Sequence, residues 1–271
     1  MASKIWNEDF TEVVENGKSA TQAQKGIFFE DSRGRIRRLT EAEGHDISYN
    51  PETVERNFIA HEEPEDEVRT YRDTFGKDIA IRKGAPNYEF FNSYLEQRPT
   101  GDNAKLRAYI VDFMKEEVGA NHNRYLAYSY MVTCTVDSGN YTDGTLTVNF
   151  SQAGGRTIGT MGRIDTDSDA EFIYGFTPSS EIVIDDVVIS DEAVEDGITV
   201  ARGKERRVTV EFTPLGSEQG FLYTSDTPNV CAVSRNLQSL VITGKSAGKA
   251  NVTVTSTKDS DMKAQIEVTV S

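Results

Sequence analysis

Short runs in which apolar and polar residues alternate recur along most of this 271-residue chain, and a two-residue period marks strands that turn one face to a core. Gly26-Ile27-Phe28-Phe29-Glu30 and residues 35–39 flank Asp31-Ser32-Arg33-Gly34, which predicts a hairpin with glycine in the turn. Ile47-Ser48-Tyr49 and residues 53–60 predict a second extended pair, followed by the charged, proline-broken loop His61-Glu62-Glu63-Pro64-Glu65-Asp66-Glu67. Strand character resumes at residues 68–71 and 78–82. In residues 128–136 the even positions Tyr128, Tyr130, Val132, Cys134 and Val136 share a face. A turn over 137–144 leads to Leu146, Val148 and Phe150 in strict alternation, and Gly154-Gly155 is expected to turn the chain again.

One segment breaks the period. Pro86 and Asn87 supply helix-start signals, and Tyr88, Phe91, Tyr94 and Leu95 recur at three- and four-residue steps. Pro99 and Gly101 close the segment, so a helix over 88–98 is expected to lay an aromatic stripe on the sheet. Residues 1–25 show only a short amphipathic turn at Phe10, Val13 and Val14 and are expected to form an arm. One helix among at least eight strands predicts a mainly β domain over 26–180.

A second module is expected over 181–271. Ile182-Val183-Ile184, 208–212, 230–233, 240–242, 252–254 and 266–270 are short apolar runs separated by turn residues, the rhythm of a sandwich of ~90 residues.

Charge sharpens this outline. The formal net charge of −15 argues against a protein that grips nucleic acid through phosphates, which requires clustered Lys and Arg. The nearest basic run, Arg33, Arg35, Arg37 and Arg38, is flanked by acids and reads as a solvated turn or a subunit contact. Residues 164–201 contain no Lys or Arg. Within them Asp165, Asp167, Asp169 and Glu171 fall at every second position, which aims four carboxylates to one side of an extended strand. A charged edge that resists strand pairing, a surface facing a polyanion that must stay mobile, and a calcium site all fit this pattern. For calcium, the spacing opens like an EF-hand loop but has Ala170 where Gly is required and Phe176 where a chelating Glu is needed.

Chemistry has no visible seat. His45, His61 and His122 share no metal-ligand spacing with each other or with Cys134 and Cys231, so no metal or cofactor is expected. The two cysteines sit in strand patterns and are expected to be small buried hydrophobes. Gly17-Lys18-Ser19 and Gly244-Lys245-Ser246 lack the earlier glycine of a phosphate loop, and no serine sits in a nucleophile elbow. Sequons occur at Asn140, Asn149 and Asn251, but the polar start MASKIWNEDF has no signal-peptide core. Synthesis is therefore expected to end in the cytoplasm, with no membrane partner.

Two resemblances add to this reading. Val200-Ala201-Arg202-Gly203, Thr213-Pro214, the run from Tyr223-Thr224-Ser225-Asp226-Thr227-Pro228 to Val233, and Ile242-Thr243-Gly244-Lys245-Ser246-Ala247-Gly248 resemble the group 2 bacterial immunoglobulin-like family. That family commonly has Trp where Tyr223 stands, so Tyr223 is expected to plug the core. Over about residues 40–178, the order of features is similar to the tail tube proteins of long-tailed bacteriophages. It runs from Ile47-Ser48-Tyr49-Asn50-Pro51 through the acidic loop, Asp78-Ile79-Ala80-Ile81-Arg82, the helix and Gly101-Asp102-Asn103-Ala104 to Asp143-Gly144-Thr145-Leu146.

The tube resemblance implies a β-sandwich or barrel with one flanking α-helix, followed here by an immunoglobulin-like β-sandwich. It implies a non-enzymatic homo-oligomer of stacked hexameric rings in the virion tail, assembled in the host cytoplasm. Its partners would be tape measure, terminator and distal tail proteins, with viral DNA passing through unbound. On that reading Asp165, Asp167, Asp169 and Glu171 line the lumen, and the loop carrying Glu62, Glu63, Glu65, Asp66 and Glu67 touches the next ring. The C-terminal module would face outward and meet bacterial surface glycans. A host-surface carbohydrate-binding module, or another virion component such as a capsid or decoration protein, is the alternative.

Overall fold

The computed structural model describes residues 25–39, 42–43, 47–56, 65–117, 123–166, 172–190 and 197–271. The chain divides into two compact units between Phe176 and Thr177. The first contains β1 (Lys25–Glu30), β2 (Ile36–Arg38), β3 (Ala42–Glu43), β4 (Ile47–Ser48), β5 (Pro51–Arg56), β6 (Glu65–Tyr71), β7 (Thr74–Ala80) and α1 (Pro86–Gln97). It continues with β8 (Lys105–Glu117), β9 (Arg124–Asn140), β10 (Thr145–Thr166) and β11 (Phe172–Pro178).

Its nine-stranded sheet runs β11-β2-β1-β8-β9-β10-β7-β3, with β4 also on β7. Because β11 pairs with β10 as well as β2, strands β11-β2-β1-β8-β9-β10 close on themselves as a barrel. Closure and the helix together give β1, β8 and β9 two buried faces. Ile27, Phe29, Ile110, Tyr130, Val132 and Cys134 pack with Phe91 of α1 in one core. Phe28, Tyr109, Val111, Phe113, Tyr125 and Met161 fill the other. Strict alternation distributes neighbours between the two cores. The even positions of β9 from Tyr128 to Val136 all belong to the helix-side core, as do Leu146, Val148 and Phe150 of β10. Met161, near the far end of β10, belongs to the other core.

Three local expectations change. Gly154-Gly155 does not turn the chain; β10 continues through it, and the register with β9 slips between Gln152 and Arg156 as a bulge. The Gln152 amide bridges that bulge by donating to the Gly154 carbonyl at 2.7 Å. The turn expected over 137–144 shrinks to residues 141–144, because β9 keeps pairing to Asn140. Asn140 Oδ1 then accepts from the backbone N–H groups of Thr142 and Asp143, an Asx turn that closes on Gly144 at φ 68°. The helix starts two residues earlier than expected, with Pro86 in its first turn, and ends where Arg98 adopts the left-handed conformation.

The second unit contains β12 (Asp186–Ser190), β13 (Ile198–Val200), β14 (Glu205–Thr213), β15 (Phe221–Ser225), β16 (Cys231–Asn236), β17 (Ser239–Gly244), β18 (Gly248–Ser256) and β19 (Lys263–Val270). They form two four-stranded sheets, β12-β14-β17-β16 and β13-β19-β18-β15. Inward-facing Val208, Val210, Leu240, Ile242, Val252, Val254 and Val268 make a shared core. Ile182-Val183-Ile184 is not a strand. Ile182 and Ile184 are nevertheless buried, and the Lys258 ammonium donates to the Ile182 carbonyl at 2.6 Å, so an irregular segment supplies apolar cover without a ladder. Tyr223 only flanks the core. The buried aromatic of that strand is Phe221, with the Arg235 guanidinium 4.2 Å above its ring.

Candidate assembly surface

The sequence pointed to two acidic features. Asp167, Asp169 and Glu171 lie outside the described residues, and Asp165 is described only as a backbone position in β10. Glu62 and Glu63 also lie outside. Glu65, Asp66 and Glu67 are not in a loop: they open β6, which pairs with β5 from Arg56↔Glu65 to Pro51↔Tyr71. Backbone hydrogen bonding between the two strands overrides the loop signal of Pro64. His45, His61 and His122 fall outside the described residues.

The β5–β6 hairpin is a sheet of its own. Its base is pinned by Asn50, whose amide donates to the Arg72 carbonyl at 3.1 Å and to Thr74 Oγ1 at 3.0 Å. Above that base, Pro51, Glu52, Thr53, Val68, Arg69, Thr70 and Tyr71 are all exposed, so neither face is covered at this end of the ribbon. Val68 is 48% and Tyr71 55% accessible. A lone two-stranded ribbon is at best marginally stable in water.

A second surface feature lies where the β1–β2 turn, α1 and the start of β8 converge. A groove of about 510 Å³ there is lined by Glu30, Asp31, Ser32, Phe90, Tyr94, Lys105, Leu106, Arg107 and Met131. Asp31 organises its rim. Its carboxylate accepts from Arg37 Nε at 2.8 Å, Arg35 Nε at 3.1 Å and the backbone N–H groups of Arg33 and Arg35. Burial pushes the Asp31 carboxyl up. The bond from Arg37, the two backbone N–H groups and the Arg35 charge outweigh it and hold the group down at about 2. Of the basic run read as a solvated turn or a subunit contact, Arg35 and Arg37 are thus folded around one acid, while Arg38 lies 5.0 Å above the Phe113 ring. Arg107 Nε stands 3.9 Å from Glu30, and Lys105 pairs with Asp102 at 2.7 Å. Phe90 and Tyr94 were half legible in the helical stripe. Lys105, Arg107 and Met131 were not singled out, although the alternation Lys105-Leu106-Arg107 marks the end of a strand that passes from solvent into the core.

Elsewhere the polar groups serve structure. Buried Asp73 accepts from the Tyr130 hydroxyl at 2.9 Å, which with burial raises the tyrosine's pKa. Cys134 and Cys231 are both free and buried, and burial pushes the Cys134 thiol up to about 12. In the second unit Asp226 accepts from the Asn251 backbone N–H and side-chain amide at 2.8 and 2.9 Å, tying the β15–β16 turn to β18. Among the described residues no three His, Cys, Asp or Glu side chains gather as a metal site, and no helix is long and apolar enough to cross a membrane.

These features define a mainly β chain of a closed barrel with a flanking helix, followed by an immunoglobulin-like sandwich. Residues 190–268 match the family model described as bacterial Ig-like domain (group 2), and that segment is such a domain. No curated protein matches the sequence. Among solved structures, surface layer protein SbsC, domains 1–6, is similar at 9% identity and TM-score 0.28 over 91% of this chain and 53% of that one. The C-terminal 282-residue fragment of intimin in complex with the intimin-binding domain of its translocated receptor is similar at 15% identity and TM-score 0.21. That likeness covers 61% of this chain and 57% of the other. The chain thus spans little more than half the length of either.

Proposed function

We propose that this chain is a structural subunit that assembles with copies of itself into stacked rings, the tail tube of a long-tailed bacteriophage. The observation that carries the reading is the β5–β6 ribbon, a sheet of its own whose end at Pro51–Thr53 and Val68–Tyr71 is exposed on both faces. A closed path of strands is a rigid wall element, and a ribbon that lacks its own cover is a contact element. A repeated contact between unlike surfaces closes a ring or propagates a stack. The net charge of −15 supports a bore through which DNA slides without adhering. The immunoglobulin-like domain, on this reading, faces outward. Its family match also supports a second role, contact with the bacterial surface, in which glycans are the ligand class.

Negative-stain microscopy of the purified full-length chain tests the assembly. Rings or tubes with a central hole are expected. Persistent monomers under assembly conditions, with tail partners supplied, would overturn it. Glycan pulldown with full-length assemblies tests the surface role, and retention no greater than for an assembly lacking residues 182–271 would remove it.

A further inference from the structure

We infer that the groove between the β1–β2 turn, α1 and the start of β8 is a binding site for a neutral oligosaccharide. It lies within the first unit, does not depend on self-assembly, and is separate from the glycan contact proposed for the immunoglobulin-like domain. Its volume of about 510 Å³ falls in the roughly 300 to 1,000 Å³ range of small-molecule sites.

The charges of the lining select the class. Glu30 and Asp31 are matched by Lys105 and Arg107, so the groove has no net charge with which to hold a free ion. An apolar ligand would strip water from these groups and return no hydrogen bonds. A sugar hydroxyl suits them, because it both donates and accepts. Asp31 is committed to Arg35 and Arg37, and Lys105 is paired with Asp102 at 2.7 Å. Arg107 Nε stands 3.9 Å from the Glu30 carboxylate, beyond direct hydrogen-bond length, so one hydroxyl can accept from Arg107 and donate to Glu30. The Tyr109 hydroxyl reaches the same carboxylate at 3.4 Å.

The apolar part of the lining fits the body of a sugar. Phe90 and Tyr94 lie one helical turn apart, with ring centroids 5.5 Å apart and planes tilted by 37°, and together make a broad aromatic wall. The C–H face of a pyranose packs on such a wall while its hydroxyls stay at the ring edge, within reach of the polar groups. Leu106 and Met131 extend the apolar surface, and Met131 is 38% accessible although it lies on a central strand. The wall is already held in place. Phe90 packs on Phe29 at 4.9 Å and Phe91 at 5.0 Å, and Asp31 clamps the neighbouring turn, so a ligand has little left to order.

Saturation-transfer NMR on the full-length chain tests this with neutral trimers of glucose, mannose, galactose and N-acetylglucosamine. At least one should receive transfer at its ring protons and bind with a dissociation constant of about 1 mM or tighter. Tyr94→Leu removes a ring from the wall, and Ser32→Trp fills the groove from an exposed turn; each should weaken binding about tenfold or more. Tyr141→Ala, at a tyrosine 73% exposed and outside the groove, should leave it unchanged. If Tyr94→Leu unfolds the unit, Ser32→Trp decides alone.

No transfer to any of the four trimers would overturn the site, and so would binding unaffected by Ser32→Trp, which would put the sugar elsewhere on the chain. A galacturonic acid trimer that binds tenfold tighter than every neutral one would overturn the class. Self-association of wild type that Ser32→Trp abolishes, with no sugar bound, would assign the groove to a second copy instead. Sugar binding lost in Ser32→Trp by a chain that never forms rings would sink the tube reading and leave this site standing.

Discussion

Replacing Asp31 with Asn probes how the arginine-rich turn is held together. The carboxylate is 7% exposed and takes two arginine Nε donors and two backbone N–H donors. Its pKa falls from the ordinary 3.8 to about 2. At about 1.36 kcal/mol per unit this difference has a ceiling of roughly 2.5 kcal/mol of stability in the charged form. Solvent reaches the neighbouring guanidinium groups and screens the interaction, so about 1 to 2 kcal/mol is the expected loss at pH 7. The sign comes from the depressed pKa. The contribution is complete above pH 4, where the unfolded carboxyl is also ionised, and is lost as pH falls through the folded value near 2. Urea unfolding of the first unit, monitored by a probe outside the turn, should show Asp31→Asn less stable than wild type at pH 7. The gap should narrow below pH 4 and close near pH 2. A gap of the same size at pH 7 and pH 2, or none at pH 7, refutes the account.

Other outcomes rest on close contacts and buried groups. A Cβ at Gly244 would lie 2.8 Å from the Ala201 carbonyl oxygen, which is backbone, so Gly244→Ala should cost about 1 to 3 kcal/mol in the second unit. Calorimetry should show only that unit's transition shifted. Tyr130→Phe leaves the buried Asp73 carboxylate without its hydroxyl donor and should cost about 1 to 3 kcal/mol in the first unit, seen as a lower urea midpoint. Neither native thiol should react with a thiol reagent at pH 8 until urea unfolds its unit; prompt reaction of Cys134 would contradict its burial and raised pKa.

The two-residue period made most of the barrel readable, because Tyr128 to Val136 and Leu146 to Phe150 each turn one face to the helix-side core. It did not announce that β8 and β9 are buried on both faces, since Tyr109 and Ala127 become interior only when β11 closes the ring from far along the chain. Gly154-Gly155 carries the same composition whether the chain turns or bulges; pairing with β9 decides, and pairing is not local. The family motifs made the second unit legible. Even there Phe221 and not Tyr223 became the buried aromatic, because the two lie on the same face of β15 and only depth in the sandwich separates them. Of the candidate assembly surface, the acidic run before Val68 was visible but its strand character was not, as Pro64 signals a break whichever residues come after it. The groove was least legible. It joins residues 30–32, 90–94, 105–107 and 131, and no local pattern links them.

The division of roles within the first unit depends on where backbone hydrogen bonds are satisfied. Strands β11 to β10 bond around a closed path, and β7, with β3 and β4 on its far side, extends the sheet from β10. The β5–β6 ribbon satisfies its own inner ladder but leaves the side chains of residues 51–53 and 68–71 in solvent, and its register slips between Glu52 and Thr53. Burial of apolar side chains, at about 25 cal/mol per Å², supplies most of the free energy that holds a ribbon to a surface. Val68 and Tyr71, 48% and 55% accessible, do not make that contribution within the unit. The barrel thus buries its own two cores, while the ribbon keeps apolar surface still to bury.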